Sequence, residues 1–245
     1  MKHILITGAS SGIGEAIAKN LASSDVQLSL GARRTERLTD IAPTAFHHYL
    51  DVTDEASVES FLAAAVQAHG PIDVLINNAG LARGIERIAE ADGEAWREMI
   101  ETNVMGVLHI SRRVLPSMIE RGTGHVIMTG SVAGITSYEG GSVYCASKRA
   151  LTSICESMRL ETHGTGIRVT NISPGLVESE FSLVRFRGDA ERAQAPYQDT
   201  RPLTPGDIAE CVAFAVTRPP HVCIDSMLIL ATDQSSATRV HRTKS

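Results

Sequence analysis

The sequence predicts an α/β fold in which one parallel, doubly wound sheet of about seven strands carries helices on both faces. Three observations lead there. Short apolar runs of strand length recur along the 245 residues, stretches with helical apolar spacing separate nearly all of them, and no repeat, low-complexity tract or Pro/Ser-rich linker divides the chain. Strands joined through helices pair in parallel by right-handed crossovers, and both faces of such a sheet are buried. Residues 1–245 are therefore read as a single domain.

The first run, His3-Ile4-Leu5-Ile6-Thr7, suits a buried strand and passes through glycines into a helix with Ile13, Ile17 and Leu21 four apart. Further strands are expected at 26–32, 45–52, 72–77, 124–131, 167–173 and 226–231. Helical spacing is clearest over 58–66, 96–118, 143–161 and 207–216. The last of these has Thr204 to cap it and Pro205 in its first turn, where a missing N–H leaves no bond unmade. Two stretches break the alternation, 177–201 and 232–245. An irregular stretch of about 20 residues in a compact domain usually serves function. The first is read as a substrate lid and the second as an arm reaching another subunit.

With 43% hydrophobic and 21% charged residues the chain has an ordinary globular composition. No apolar run approaches the roughly 20 residues that span a bilayer, and Met1-Lys2-His3-Ile4 enters an apolar run without a cleavage-site pattern. A cytoplasmic protein without a membrane partner is expected. The net charge of −5 gives no bulk attraction toward nucleic acid. Cys145, Cys155, Cys211 and Cys223 are scattered, so they are read as reduced and packed as small hydrophobes. His47-His48 and the other histidines lack ligand spacing, and no metal is expected.

Chemistry concentrates in a few segments. Thr7-Gly8-Ala9-Ser10-Ser11-Gly12-Ile13-Gly14 turns a strand into a helix, and its glycines allow close approach of a phosphate to the helix N-terminus. The second strand ends in Gly31-Ala32-Arg33-Arg34, with two guanidiniums where a carboxylate would favour NAD, so NADP(H) is the expected cofactor. Tyr144 and Lys148 lie four apart on one helix face; in a chain with 19 Arg and only four Lys, a lysine inside a motif is informative. A nearby cation stabilises a phenolate, which suits Tyr144 to proton transfer. Ser131 ends the fifth strand, where a hydroxyl can bond a substrate carbonyl. Asn103, a poor interior helix residue, signals a local distortion with a role.

Taken in order and spacing, Thr7-Gly8-x-x-x-Gly12-x-Gly14, Asp51-Val52, Asn77-Asn78-Ala79-Gly80, Asn103, Ser131, Tyr144-x-x-x-Lys148 and Pro174-Gly175-Leu176-Val177-Glu178-Ser179 resemble the short-chain dehydrogenase/reductase family over essentially the whole chain. The resemblance implies a Rossmann-type sheet. It also implies that Tyr144 is the general acid, Ser131 orients the carbonyl, Lys148 binds the nicotinamide ribose and lowers the Tyr144 pKa, and Asn103 holds a proton-relaying water. By the same likeness Gly8, Ser10, Ser11, Gly12, Ile13 and Gly14 cradle the pyrophosphate, Arg33 and Arg34 take the 2′-phosphate, and Asp51 and Val52 border the adenine. Asn78, Ala79 and Gly80 lie by the cofactor's ribose and Val177 and Ser179 near the carboxamide, with Pro174 and Gly175 also among the cofactor-binding residues.

A closer likeness lies in PGLVESEFSLVRFRGD, residues 174–189, and in Val240-His241-Arg242. These resemble bacterial NADP-dependent 3-hydroxy acid (serine or allo-threonine) dehydrogenases, with sulfoacetaldehyde reductases as near relatives. Both handle small anionic substrates, which Arg185, in preference to Arg187, would meet. After Ser131 this chain reads Val132-Ala133-Gly134-Ile135-Thr136-Ser137-Tyr138-Glu139, without the subgroup's Trp-Pro-Tyr, and Glu139 is expected to add negative charge near the substrate. The expected activity is hydride transfer between NADP(H) and a small 3-hydroxy acid or its semialdehyde. The alternatives are reduction of sulfoacetaldehyde to isethionate and, from another class, a non-catalytic NADP-binding sensor or scaffold. Family members commonly form homotetramers, and one is expected here.

Overall fold

The computed structural model describes residues 1–23 and 25–243; Lys244 and the last residue of the expected arm lie outside the described residues. Seven parallel strands form one sheet in the order β3-β2-β1-β4-β5-β6-β7. They are β1 (Lys2–Thr7), β2 (Val26–Ala32), β3 (Phe46–Tyr49), β4 (Val74–Asn77), β5 (Gly124–Thr129), β6 (Ile167–Pro174) and β7 (Ser226–Ile229). The expected doubly wound sheet is borne out, with β3, β4, β5 and β7 shorter than the apolar runs that contain them. Leu50, for example, is buried, but it lies past the end of the ladder and faces the cleft described below.

Alternation along the strands explains how helices cover both faces. Ile4 and Ile6 of β1, Leu30 of β2 and Ile76 of β4 point to one side, against Ile17 and Leu21 of α1 (Gly12–Leu21) and Ile208, Val212 and Val216 of α9 (Pro205–Val216). Leu5, Leu75, Val126 and Val169 point to the other. There they meet Phe61 of α3 (Glu55–His69), Ile110 and Met118 of α5 (Gly106–Arg121), and Leu151 and Met158 of α6 (Ser142–Glu161). Helix α9 starts with the expected device: Thr204 and Asp207 cap each other's backbone N–H groups, with Pro205 in the first turn.

The region 96–118 is not one helix. Helix α4 (Gly93–Ile100) meets α5 through a π-helical turn, Glu101–Met105, that contains Asn103, as its awkward residue type foretold. The region 177–201 is likewise less irregular than its composition suggests. It holds α7 (Glu180–Arg185) and α8 (Ala190–Gln194), each capped by an Asx or Ser side chain, Asp189 for α8 and Ser179 for α7. The arm expected from 232 onward folds back, as far as Thr243, onto its own chain. Gln234 bridges Val240, Thr243 N donates to Asp199 O (3.0 Å), and Arg242 reaches the carbonyls of Pro196 and Gln198. Of the cysteines only Cys145 and Cys155 are packed as hydrophobes; Cys211 is half-buried and Cys223 is exposed. Among the described residues no helix is long and apolar enough to cross a membrane.

Candidate active site

The carboxyl ends of β1, β2, β4, β5 and β6 open into one cleft of about 680 Å³, at the point where strand order reverses beside β1. Nearly every residue singled out from the sequence lines it: Gly8, Ser10, Ser11, Gly12, Ile13, Arg33, Arg34, Asp51, Val52, Asn78, Ala79, Gly80, Ser131, Tyr144, Lys148, Pro174, Gly175, Val177, Ser179 and Arg185. Gly14 and Asn103 do not. A Cβ on Gly14 would run into Gly8 O and Asn78 Nδ2, so this glycine lets the helix pack on the loop from behind the cleft lining. Asn103 is fully buried behind Gly80 and Lys148.

The glycine loop is shaped for a bulky anion. Gly8 and Gly12 have left-handed φ of 66° and 56°. No side chain caps the first turn of α1, and the Ser11 hydroxyl instead accepts from Arg34 Nη2 (2.8 Å). The free N–H groups of that turn and the positive end of the helix dipole thus meet the cleft. Thr7 Oγ1 accepts from Asn78 N (3.0 Å) and Ala79 N (2.9 Å), and Asn78 Nδ2 returns bonds to Thr7 O and Gly8 O, which locks the loops after β1 and β4 together. Arg33 is exposed and Arg34 half-buried at the end of β2, with no carboxylate on that strand end. A dinucleotide with a 2′-phosphate fits these groups in shape and in charge.

At the other end of the cleft the polar groups converge. Ser131 caps a short turn by accepting Ala133 N (3.1 Å), so its hydroxyl proton remains to be donated. Tyr144 and Lys148 lie one turn apart on α6, both buried. Burial pushes the Tyr144 phenol well above its usual range, against the pull of a hydrogen bond with Ser131 and of the Arg185 charge. Burial pushes Lys148 down to about 8, and its ammonium donates to Thr129 O (2.7 Å). In the free protein the cation that pulls against the rise of the tyrosine is Arg185. Asn103 uses both amide hydrogens, on Leu81 O (2.8 Å) and Ser147 Oγ (3.0 Å), and accepts from Leu81 N (2.8 Å). Ser147 in turn donates to Tyr144 O (2.8 Å). The π turn thus fixes the loop after β4 and the first turns of α6.

Arg185 is held in place. Nε donates to Gly84 O and Nη2 to the Tyr138 hydroxyl, both at 2.8 Å, and the guanidinium stands 5.6 Å from the ring centres of Tyr138 and Tyr144. Arg187 is exposed and lies 3.9 Å from Asp92, outside the cleft. Glu139 pairs with Arg87 at the surface (2.6 Å), so it does not charge the cleft as expected. Sequence reasoning passed over Tyr138, Tyr197, Gln234 and Thr238, which also line the cleft. Gln234 accepts from Leu176 N (2.8 Å) and thereby fixes the turn after β6, although it lies in the tail where no motif marks it.

A family model described as short chain dehydrogenase matches residues 2–188. The chain is 42% identical over 250 residues to a protein of Schizosaccharomyces pombe named NADP-dependent 3-hydroxy acid dehydrogenase, covering 98% of this chain and 96% of the relative. A protein of the same name from Escherichia coli K12 is 41% identical, with 98% and 99% covered. Among solved structures, the closed form of a serine dehydrogenase complexed with NADP+ superposes with a TM-score of 0.93 at 41% identity, covering 98% of this chain and 100% of that one.

Proposed function

The chain belongs to the short chain dehydrogenase family and is an NADP-dependent oxidoreductase acting on a CH–OH group, and from that premise we propose that its substrate is a small 3-hydroxy acid, or the corresponding semialdehyde in the reverse direction. The observation that carries the substrate class is Arg185. Its hydrogen bonds to described residues use Nε and Nη2 and leave Nη1 for an anion, beside Tyr144 and in the cleft that Ser131 lines.

Bound NADPH supplies the hydride. Ser131 donates its free proton to the substrate oxygen and fixes it, and Tyr144 delivers a proton to that oxygen as the carbonyl is reduced. The raised pKa keeps the phenol neutral, the form a proton donor needs. Lys148 would hold the ribose, and Arg33 with Arg34 the 2′-phosphate. Asp51 and Val52 would flank the adenine, Asn78 to Gly80 the ribose, and Val177 and Ser179 the carboxamide, with Pro174 and Gly175 also binding the cofactor. Asn103 acts as a positioning residue; with both amide hydrogens committed, a relayed water would have only a remaining lone pair of Oδ1 on this side chain. Residues 177–201 serve as the lid, since α7 brings Arg185 to the cleft. A cytoplasmic location, in keeping with four free cysteines, and assembly as a homotetramer go with this reading.

The test is NADPH oxidation with malonic semialdehyde and sulfoacetaldehyde side by side. The carboxylate substrate is expected to give the higher kcat/KM; a higher value for the sulfonate would transfer the assignment to isethionate formation. Arg185→Ala is expected to raise KM for either anion by about 10²-fold, the loss of one charge-assisted contact of about 3 kcal/mol, and to spare neutral aldehydes. An equal loss on neutral aldehydes would mean that the substitution disturbs the lid and not an anion contact.

A further inference from the structure

One end of the cleft is crossed by an ion-pair bridge that the reaction does not use. Glu180, at the start of α7, accepts from Arg34 Nη1 through Oε2 (3.0 Å) and from Arg37 Nη1 through Oε1 (2.7 Å). Arg34 Nη2 continues the chain to Ser11 Oγ (2.8 Å). One residue earlier, the Cβ of Ser179 lies 3.5 Å from where a Cβ on Gly12 would stand. Ser11, Gly12, Arg34, Ser179 and Glu180 all line the same cleft. The glycine loop and the segment after β2 on one side, and the segment after β6 on the other, are thus joined at this end by a single carboxylate.

Two guanidiniums on one carboxylate hold Glu180 ionised, below the usual carboxylate range. All three side chains are nonetheless 39–44% exposed, so water screens the bridge and it is weak. A weak tie suits a position that has to open whenever a dinucleotide enters or leaves; a buried pair there would trap the cofactor.

We propose that Glu180 is a cofactor-retention residue, whose bridge to Arg34 and Arg37 straps the start of the lid to the adenosine side of the cleft across bound NADP(H) and breaks before the cofactor leaves. The proposal rests on the NADP(H) reading of the cleft. Because the strap joins the two walls at the glycine loop, it acts on NADPH and NADH alike. This separates it from a purely electrostatic role, in which a carboxylate near the 2′-phosphate repels NADPH alone.

The experiment loads the full chain with NADPH or NADH and follows nicotinamide fluorescence after a chase with excess NADP+, for wild type, Glu180→Gln and Glu180→Asp. The expected result is release about three- to tenfold faster in Glu180→Gln for both cofactors, with Glu180→Asp between the two. With NADH, which lacks the 2′-phosphate that Arg33 and Arg34 would meet, added salt should accelerate release from wild type and change Glu180→Gln far less. Unchanged release would overturn the strap. Slower NADPH release would overturn it in favour of repulsion, and acceleration confined to NADPH would reduce Glu180 to an orienter of Arg34. If wild type failed to take up NADPH at all, the NADP(H) reading itself would fall, and the strap with it.

Discussion

Tyr144→Phe is expected to lower kcat for carbonyl reduction by about 10³-fold while NADPH binds with wild-type affinity. The substitution removes one oxygen from a side chain that is otherwise packed: Tyr144 is buried against Leu81, Met99 and Phe181, and its ring survives as phenylalanine. What is lost is the proton donor, since Ser131 and Lys148 cannot replace it. The Ser131 hydroxyl donates a hydrogen bond but is far too weak an acid, and the Lys148 ammonium is directed at Thr129 O. A fluorescence titration with NADPH alongside the NADPH oxidation rate checks both halves. Turnover retained within about tenfold would remove Tyr144 from the proton-transfer role.

The pH dependence carries the same argument further. In the free protein the phenol stays protonated through the neutral range, so a loss of reduction as pH rises toward about 9 is not set by Tyr144. Lys148 has its pKa lowered by burial to about 8, so its ammonium is present below that value and lost as pH rises through it. If that charge holds the cofactor's ribose, kcat/KM for reduction in wild type falls above about pH 8. A profile flat from pH 7 to about 10 would show that Lys148 keeps its proton or that its charge is not needed.

The sequence made the sheet legible because buried parallel strands leave short unbroken apolar runs, and Ile4-Leu5-Ile6 reads the same whichever face each residue serves. The glycine loop and the Tyr144–Lys148 pair were legible for a similar reason: each depends on local spacing, i to i+4 or one strand-to-helix turn. Three features were not. Tail residue Gln234 reaches the cleft only because the segment after β7 doubles back, a long-range contact that no local pattern encodes. Glu180 meets Arg34 across the cleft from another crossover. Glu139 looked like a charge for the substrate end, but Arg87, 52 positions away, holds it at the surface. Local chemistry fixed which groups are present; the closing of loops over the sheet fixed which of them face one another.

Replacing Arg33 and Arg34 together by alanine is expected to weaken NADPH binding by about 10²- to 10³-fold, with NADH losing less than about tenfold. The estimate follows from charge-assisted contacts to a phosphate, each contributing about 1.5–3 kcal/mol, partly offset by solvent exposure at this end of the cleft. The two arginines are not equivalent. Arg33 is exposed and free of the bridge, so Arg33→Ala alone should fall almost wholly on NADPH. Arg34 also bonds Ser11 on the glycine loop and Glu180 on the lid, so Arg34→Ala should add a loss of a few-fold shared by both cofactors. The deciding quantity is the ratio of the NADH and NADPH dissociation constants, measured for each single variant and for the pair. A ratio that collapses toward one, with Arg33→Ala responsible for a cofactor-selective share, assigns the 2′-phosphate to the end of β2. Equal losses for NADH and NADPH in every variant would mean that these guanidiniums only hold the walls of the cleft, and that the 2′-phosphate is met elsewhere.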